Sequence, residues 1–230
     1  MPKERIIAII LKGSQNYGLD HENSDIDSSC IFIPTKDEIK SYPSWMEKQT
    51  IAVNDIETVT MIDIRQFTYG LEKCSLFFLE RLYSPYYIIP NEKYKFLWQQ
   101  YTSLADDLVQ SNKIATATSI YFYMNIIRNH ITSNFLESRK VTSEARGYDN
   151  KALSYAIRYY LLLQLLETNH SFSHCLNPQL NILALNAKNG VYDLNAVINL
   201  EQFLYTDFDR IYNHICKTEK TNKVKNKEIL

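Results

Sequence analysis

Two neighbouring stretches decide the fold of this chain: GSQNYG at residues 13–18 and SDIDSSCIFI at residues 24–33. The first follows an apolar run, IIAIIL at residues 6–11, which is typical of a buried strand that leads into a tight turn. The second begins with two carboxylates and continues with residues that favour β-structure. Because Asp25 and Asp27 are two positions apart, a strand would project both side chains from the same face.

The paired aspartates and the Gly-Ser turn predict two complementary halves of a binding site. Two carboxylates this close repel one another unless a positive charge lies between them, and Mg²⁺ (or Mn²⁺) is the oxygen-seeking cation expected there. Gly13 allows the backbone to turn tightly, the N–H groups after it can bind a phosphate, and Ser14 adds a hydroxyl donor. An isolated Asp-x-Asp is more often a solvated turn, but the complete arrangement favours a functional site.

The order of strand, Gly-Ser turn, short connection and Asp-x-Asp strand resembles the signature of the DNA polymerase β-like nucleotidyltransferase superfamily. Three further blocks are similar to its RNA-repair-pathway polymerase β-like subgroup. ETVTMIDIRQF (residues 57–67) resembles an acidic strand and the helix after it, and KCSLFFLERLYSP (residues 73–85) resembles a Leu-Glu-Leu-Leu block without the Asn-Pro-Asn of that family. KALSYAIR (residues 151–158) resembles a helix with Lys, His and Arg, with Tyr155 in the place of the His.

The resemblance implies an α+β fold in which a small nucleotidyltransferase sheet module is followed by an α-helical bundle. It also implies a metal-dependent enzyme that transfers a nucleoside monophosphate from an NTP to a hydroxyl acceptor (an RNA end, a protein or a small molecule) and releases pyrophosphate. Asp25 and Asp27 would hold two metal ions together with a third carboxylate from the neighbouring strand. Gly13, Ser14 and Ser24 would bind the nucleotide.

The third carboxylate is expected on the predicted strand at residues 56–61. Asp55, Glu57 and Asp63 share the same parity, and Glu57 is favoured because it lies inside the strand, whereas Asp63 is well placed to cap the next helix. Compared with the family, this chain has one extra residue between the acidic position and that helix. Without the extra residue the acidic position would fall on Thr58, which is no substitute for a carboxylate.

Lys151, Tyr155 and Arg158 are further candidates for nucleotide binding. They are spaced i, i+4 and i+7 on a predicted helix and therefore share one face. Two cations and an aromatic ring could contact a triphosphate and stack on a base. The alternative is a polar helix edge from which the lysine and the arginine extend to solvent.

Strand patterns fade after about residue 90, which predicts a catalytic module at 1–90 and a helical domain at 91–216, with the ligand between them. Residues 217–230 are rich in lysine, lack apolar periodicity and are predicted to be disordered. Within the helical part, the sequence predicts a helix, a loop and a second helix at 113–138, 139–148 and 149–167.

The net charge and the cysteine spacing argue against two classes of protein, those with an overall basic surface and those with a zinc site. The chain has 230 residues and a formal net charge of −1, so it lacks the overall positive charge of many nucleic-acid-binding proteins. Its four scattered cysteines form no CxxC pair and argue against a zinc site. We expect a cytoplasmic protein with an NTP substrate, an RNA or protein acceptor and no membrane contact. Two alternatives are a catalytically inactive nucleotide- or RNA-binding module and an antitoxin-like partner protein.

Overall fold

The structure is a computed structural model that describes residues 2–20, 24–41, 49–177 and 179–228. The chain forms two compact units, Met1–Val109 and Gln110–Leu230. The first unit contains a mixed β-sheet with helices, and the second is helical in its described residues. The predicted α+β fold is confirmed.

The sheet of the first unit has five strands in the described part of the chain, which are β1 (Ile6–Lys12), β2 (Ile26–Phe32), β3 (Gln49–Ala52), β4 (Glu57–Asp63) and β5 (Tyr87–Ile88). Their order across the sheet is β3-β4-β2-β1-β5. Strands β2 and β4 run parallel, whereas the other neighbouring pairs are antiparallel. The three strands predicted from the sequence are present as β1, β2 and β4, and β2 lies between the other two.

The centre of the sheet is buried because β1, β2 and β4 bring apolar residues into register. Ala8 on β1 pairs with Ile31 on β2, which pairs in turn with Ile62 on β4, and all three are fully buried. Burying each of the two isoleucines stabilises the fold by about 1.5–3 kcal/mol, and the smaller Ala8 contributes less. The two isoleucines lie near the C-terminal ends of β2 and β4, and the polar residues described below lie at the opposite ends of the same strands.

Among the residues that the structure describes, five helices follow or separate these strands, and one of them begins at a local signal predicted from the sequence. They are α1 (Lys36–Ser41), α2 (Ile64–Glu72), α3 (Leu76–Tyr83), α4 (Lys95–Ser103) and α5 (Ala105–Ser111). As predicted, Asp63 caps α2, because its side chain accepts a hydrogen bond from the Arg65 backbone N–H at 2.8 Å. The break between α2 and α3 has Cys74 in the left-handed region, at a φ of 50°.

The second unit is built around a buried central helix. Its helices are α6 (Lys113–Arg128), α7 (Lys140–Arg146), α8 (Asn150–Glu167), α9 (Ile182–Lys188) and α10 (Leu194–Glu228). Helix α8 packs against α6, α9 and α10 and buries ten of its residues. Asp149 caps it as predicted, since its Oδ1 accepts hydrogen bonds from the backbone N–H groups of Lys151 and Ala152, each at 3.0 Å.

The helical unit differs from the sequence-based prediction in three places. Helix α6 ends at Arg128 rather than near residue 138, and α7 occupies most of the predicted loop at 139–148. Helix α7 is short and ends at Gly147, which adopts a φ of 81° as its C-cap. Helix α10 continues to Glu228, through most of the segment that composition predicted to be disordered, because lysine and glutamate favour helices even without an apolar stripe.

The boundary between the two compact units does not coincide with the change in sequence pattern near residue 90. The last described strand ends at Ile88, close to the predicted change in composition near residue 90, but the compact units divide between Val109 and Gln110. Among the described helices, none combines the length and apolarity that a crossing of a lipid bilayer requires.

We predict that Gly70→Ala destabilises the protein, although alanine is favoured over glycine by about 1 kcal/mol in a helix. A Cβ atom on Gly70 in α2 would lie 2.0 Å from Cδ2 of Phe78 in α3. The Phe78 ring cannot simply move aside, because it also packs edge-on against Phe67 in the core. We expect a net loss of about 1–3 kcal/mol in the free energy of unfolding, measured by urea denaturation.

The control for this experiment is Glu72→Ala on the exposed side of the same helix. It should change the free energy of unfolding by less than about 0.5 kcal/mol. If Gly70→Ala were as stable as the wild type, the close packing of α2 on α3 would be wrong.

Candidate functional site

The candidate site lies at the polar end of the three central strands. Asp27 on β2 is in register with Lys12 on β1 and with Thr58 on β4. Residues in register across neighbouring strands project from the same face of a sheet. The structure therefore brings one carboxylate, one ammonium group and one hydroxyl group together on this face.

The side-chain contacts agree with this register. Thr58 Oγ1 donates a hydrogen bond to Asp27 Oδ1 at 2.5 Å. Lys12 Nζ donates to Thr60 Oγ1 at 2.9 Å, and since β2 lies between β1 and β4, the Lys12 side chain crosses the face of β2 that carries Asp27. Burial lowers the pKa of Lys12, while the negative charge of Asp27 raises it and the positive charge of Arg81 lowers it further.

The Gly-Ser turn lies directly beside Asp27. Gly13 has a φ of 82°, and a Cβ atom there would be only 3.5 Å from Asp27 Oδ2. Gly13–Tyr17 form one short 3₁₀ helix that ends at Gly18 in the left-handed region. This geometry, which glycine adopts without strain, brings the backbone of the turn to the acidic strand.

The turn is also held against the strands by hydrogen bonds. The Gln15 side-chain amide donates to the backbone carbonyl of Asp25 at 2.6 Å. The Asn16 amide donates to the Leu11 carbonyl at 2.9 Å, and Asn16 accepts a hydrogen bond from Ser84. The Gly-Ser turn and the Asp-x-Asp stretch are therefore one connected structural element.

The two predicted aspartates differ in exposure. Asp25 precedes β2 and is exposed, whereas Asp27 lies inside the strand and is half-buried. Ser14 and Ser24, the two serines predicted to bind the nucleotide, are half-buried on either side of the connection. The sequence-based prediction that the Gly-Ser turn and the aspartates meet is consistent with these positions.

The structure does not bring Glu57 to the face that carries Asp27. Glu57 is in register with Ile26, one residue out of phase, so its side chain lies on the opposite face of the sheet. There it accepts a hydrogen bond from the Asn54 side-chain amide at 3.4 Å. The residue of β4 that lies beside Asp27 is Thr58. Thr58 is also the residue that falls at the acidic position of the family when the extra residue of this chain is not counted.

Asp63 and Asp55 do not replace Glu57. Asp63 is in register with Phe32 at the far end of β4, and its carboxylate pairs with Arg65 while capping α2. Asp55 is exposed in the turn before β4. Within the described residues, no group of three or more His, Cys, Asp or Glu side chains is arranged to hold a metal ion.

These donors fit one magnesium ion better than two. Mg²⁺ is commonly bound by one or two carboxylates together with phosphate oxygens of a substrate and water. Asp25 and Asp27 are the two carboxylates that would hold such an ion. A second ion needs a further anionic ligand, and the position beside Asp27 holds the neutral Thr58 hydroxyl, with the Lys12 ammonium on the other side.

The sequence patterns did not indicate that Lys12, Thr60 and Arg81 are parts of this site. Arg81 on α3 is buried, donates a hydrogen bond to Ser29 Oγ at 2.8 Å and lies over the Phe77 ring. Lys12 had one available signal, because it immediately precedes the Gly-Ser turn on an otherwise apolar strand. Arg81 had none, since its position depends on how α3 packs on the sheet.

The three candidates on α8 are not equivalent in exposure. Lys151 is exposed, Tyr155 is half-buried and Arg158 is only 4% exposed. The Arg158 guanidinium lies 5.4 Å from the centre of the Tyr155 ring, which is nearly parallel to the ring of Tyr159. The shared helix face was predicted correctly, but Arg158 is an internal residue of the second unit.

Comparison with protein families gives one match over nearly the whole chain. Residues 3–228 match the model of the RNA repair pathway DNA polymerase beta family. No curated protein and no solved structure matches the chain.

The different burial of Arg158 and Lys151 predicts different effects on stability. Arg158→Ala removes a buried cation and its contact with the Tyr155 ring, and we expect it to lower the free energy of unfolding by about 1–3 kcal/mol. Lys151→Ala removes an exposed side chain and should change it by less than about 0.5 kcal/mol. Chemical denaturation of both variants measures the difference, and equal effects would contradict a structural role for Arg158.

Proposed function

Because the chain belongs to the RNA repair pathway DNA polymerase beta family, we propose that it is a nucleotidyltransferase that acts on an NTP. It transfers a nucleoside monophosphate to a hydroxyl group and releases pyrophosphate. The observation that supports this best is the connection between the Gly-Ser turn and the Asp-x-Asp stretch, with Gly13 beside the Asp27 carboxylate.

In this proposal the aspartates and the turn bind different parts of the same substrate. Asp25 and Asp27 hold a divalent cation, Mg²⁺ or Mn²⁺, which when bound neutralises negative charge on the phosphates. The backbone N–H groups of the turn, with the hydroxyls of Ser14 and Ser24, bind phosphate oxygens. Positioning of this kind supplies most of the catalysis in phosphoryl transfer, because the protein contributes little covalent chemistry.

The chemical step is an in-line displacement at the α-phosphorus. The acceptor hydroxyl oxygen forms a bond to that phosphorus and its proton is lost to solvent, while the bond from the phosphorus to the bridging oxygen breaks and pyrophosphate leaves. Asp27 is suited to orient the substrate, since Thr58 fixes one of its oxygens and leaves the other directed toward the turn. An RNA end is the acceptor that agrees with the family description, and a protein or small molecule is the alternative.

A second candidate function is nucleotide binding without turnover. The position of Glu57 on the opposite face of the sheet favours it, because the face that carries Asp27 then lacks the third carboxylate of a two-metal centre. The two candidates share the binding site and differ only in the chemical step.

We predict that Asp25→Asn and Asp27→Asn each reduce label transfer from a radiolabelled NTP by at least about 100-fold in the presence of Mg²⁺. Each change removes a negative charge that the cation needs, while asparagine keeps the size of the side chain and, at position 27, an acceptor for Thr58. Asp25→Asn should be as stable as the wild type or more stable, because removing one of two like charges relieves repulsion. For Asp27→Asn, loss of the attraction to Lys12 offsets that relief, and we expect the protein to remain folded. Asp55→Asn, in an exposed turn, is the matched control and should retain full transfer.

The same assay separates the two candidate functions. Transfer by the wild type that is lost in both variants supports the enzyme. Nucleotide binding by the wild type in calorimetry, without transfer to any RNA or protein acceptor, supports the binding module. A wild-type protein that neither binds an NTP nor transfers label contradicts both.

A further inference from the structure

The register of β2 and β4 places a neutral side chain where a two-metal centre needs an acid. Thr58 is paired directly with Asp27, and its hydroxyl donates a hydrogen bond to the aspartate. A donor of this kind cannot replace a carboxylate, which accepts only. Glu57 cannot supply the missing charge to this face while the register holds, because it is one residue out of phase.

A positive side chain lies on the opposite side of Asp27. Lys12 is in register with Asp27 across β1 and β2, and its ammonium group extends over β2 to Thr60. The Lys12 side chain is half-buried, at the edge of the polar face next to the Gly-Ser turn. The ammonium rests on Thr60, and because Lys12 directly precedes Gly13 on a flexible four-carbon side chain, a change of rotamer would bring it to a phosphate that the turn binds.

Arg81, which comes from α3, is the other cation near this face. Its guanidinium is buried, donates to Ser29 and lies 3.4 Å from the centre of the Phe77 ring. Ser29 is two residues further along β2 than Asp27, toward the apolar end of the sheet. Ser29 is in register with Thr60, which the Lys12 ammonium contacts, so both cations reach the same row of the sheet. They differ in that Arg81 is buried, whereas Lys12 is half-buried and directly precedes the Gly-Ser turn.

We propose that this centre holds a single divalent cation with its nucleotide and that the Lys12 ammonium supplies the second positive charge to the phosphates. The inference rests on the proposed function, since it assumes that an NTP binds at Asp25, Asp27 and the Gly-Ser turn. Compared with a two-metal centre, the inference reduces the number of metal ions from two to one, and it adds Lys12 to the residues that bind the nucleotide. A lysine point charge is a common partner of phosphates in other nucleotide sites.

The first experiment counts metal ions. The full chain is titrated with Mn²⁺ in the presence of a non-hydrolysable α,β-methylene NTP analogue, and bound Mn²⁺ is measured by electron paramagnetic resonance. The wild type should bind one Mn²⁺ per chain and Thr58→Asp two, because the new carboxylate lies on the face of Asp27. The control is Thr58→Val, which keeps the shape of threonine and adds no charge, and it should bind one.

The second experiment measures affinity for the same analogue by calorimetry. Lys12→Met keeps the length of the side chain without its charge and should weaken binding by about tenfold, with the count of Mn²⁺ unchanged at one. Lys36→Met, an exposed lysine at the start of α1, and Glu57→Gln, on the opposite face, should both bind as the wild type does.

Each outcome decides one part of the inference. Two Mn²⁺ ions bound to the wild type would overturn the single-ion centre, and wild-type affinity in Lys12→Met would overturn the role of Lys12. Neither result depends on the folding of Thr58→Asp, because both use other forms of the chain. Failure of the wild type to bind the analogue at all would instead overturn the proposed function, and the inference with it.

Discussion

The parallel pairing of β2 with β4 is the constraint on which the candidate site depends. The two strands are distant in sequence, and their register decides which side chain of β4 lies beside Asp27. Ile31 and Ile62 hold that register, because they form a pair on the same face as Asp27 and both are completely buried. A shift of one residue would exchange the faces of every side chain on β4 and remove Ile62 from the core.

The polar end of this face contains positive charge before any ligand binds. Lys12 and Arg81 reach it from β1 and α3, and while burial lowers the pKa of Lys12, the negative charge of Asp27 raises it. In a partly buried site of this kind, charges interact more strongly than they do in water. The site is therefore a mixed one, in which a lysine, an aspartate and two threonines share the space that an entirely acidic centre would use for metal ions.

In the second unit, a residue spacing that is typical of a nucleotide-binding helix occurs on a largely buried helix. Lys151, Tyr155 and Arg158 do share a face of α8, but the helix buries ten of its residues, and Arg158 is one of them. Spacing alone cannot distinguish a buried arginine that packs on a tyrosine from one that contacts a phosphate. The neighbouring helices α6, α9 and α10 make that distinction, because they determine which part of α8 is covered.

The sequence by itself determined the central strands, several helix starts and the motif that identifies the family of this protein. The apolar run of β1, the Gly-Ser turn, the Asp-x-Asp stretch and the caps at Asp63 and Asp149 are local signals, since each depends on residues within a few positions of one another. The tertiary structure alone decided that Thr58 rather than Glu57 lies beside Asp27 and that Lys12 crosses β2. Strand register joins residues about 30 positions apart, and it is set by the burial of the paired strands as a whole, which no local pattern contains.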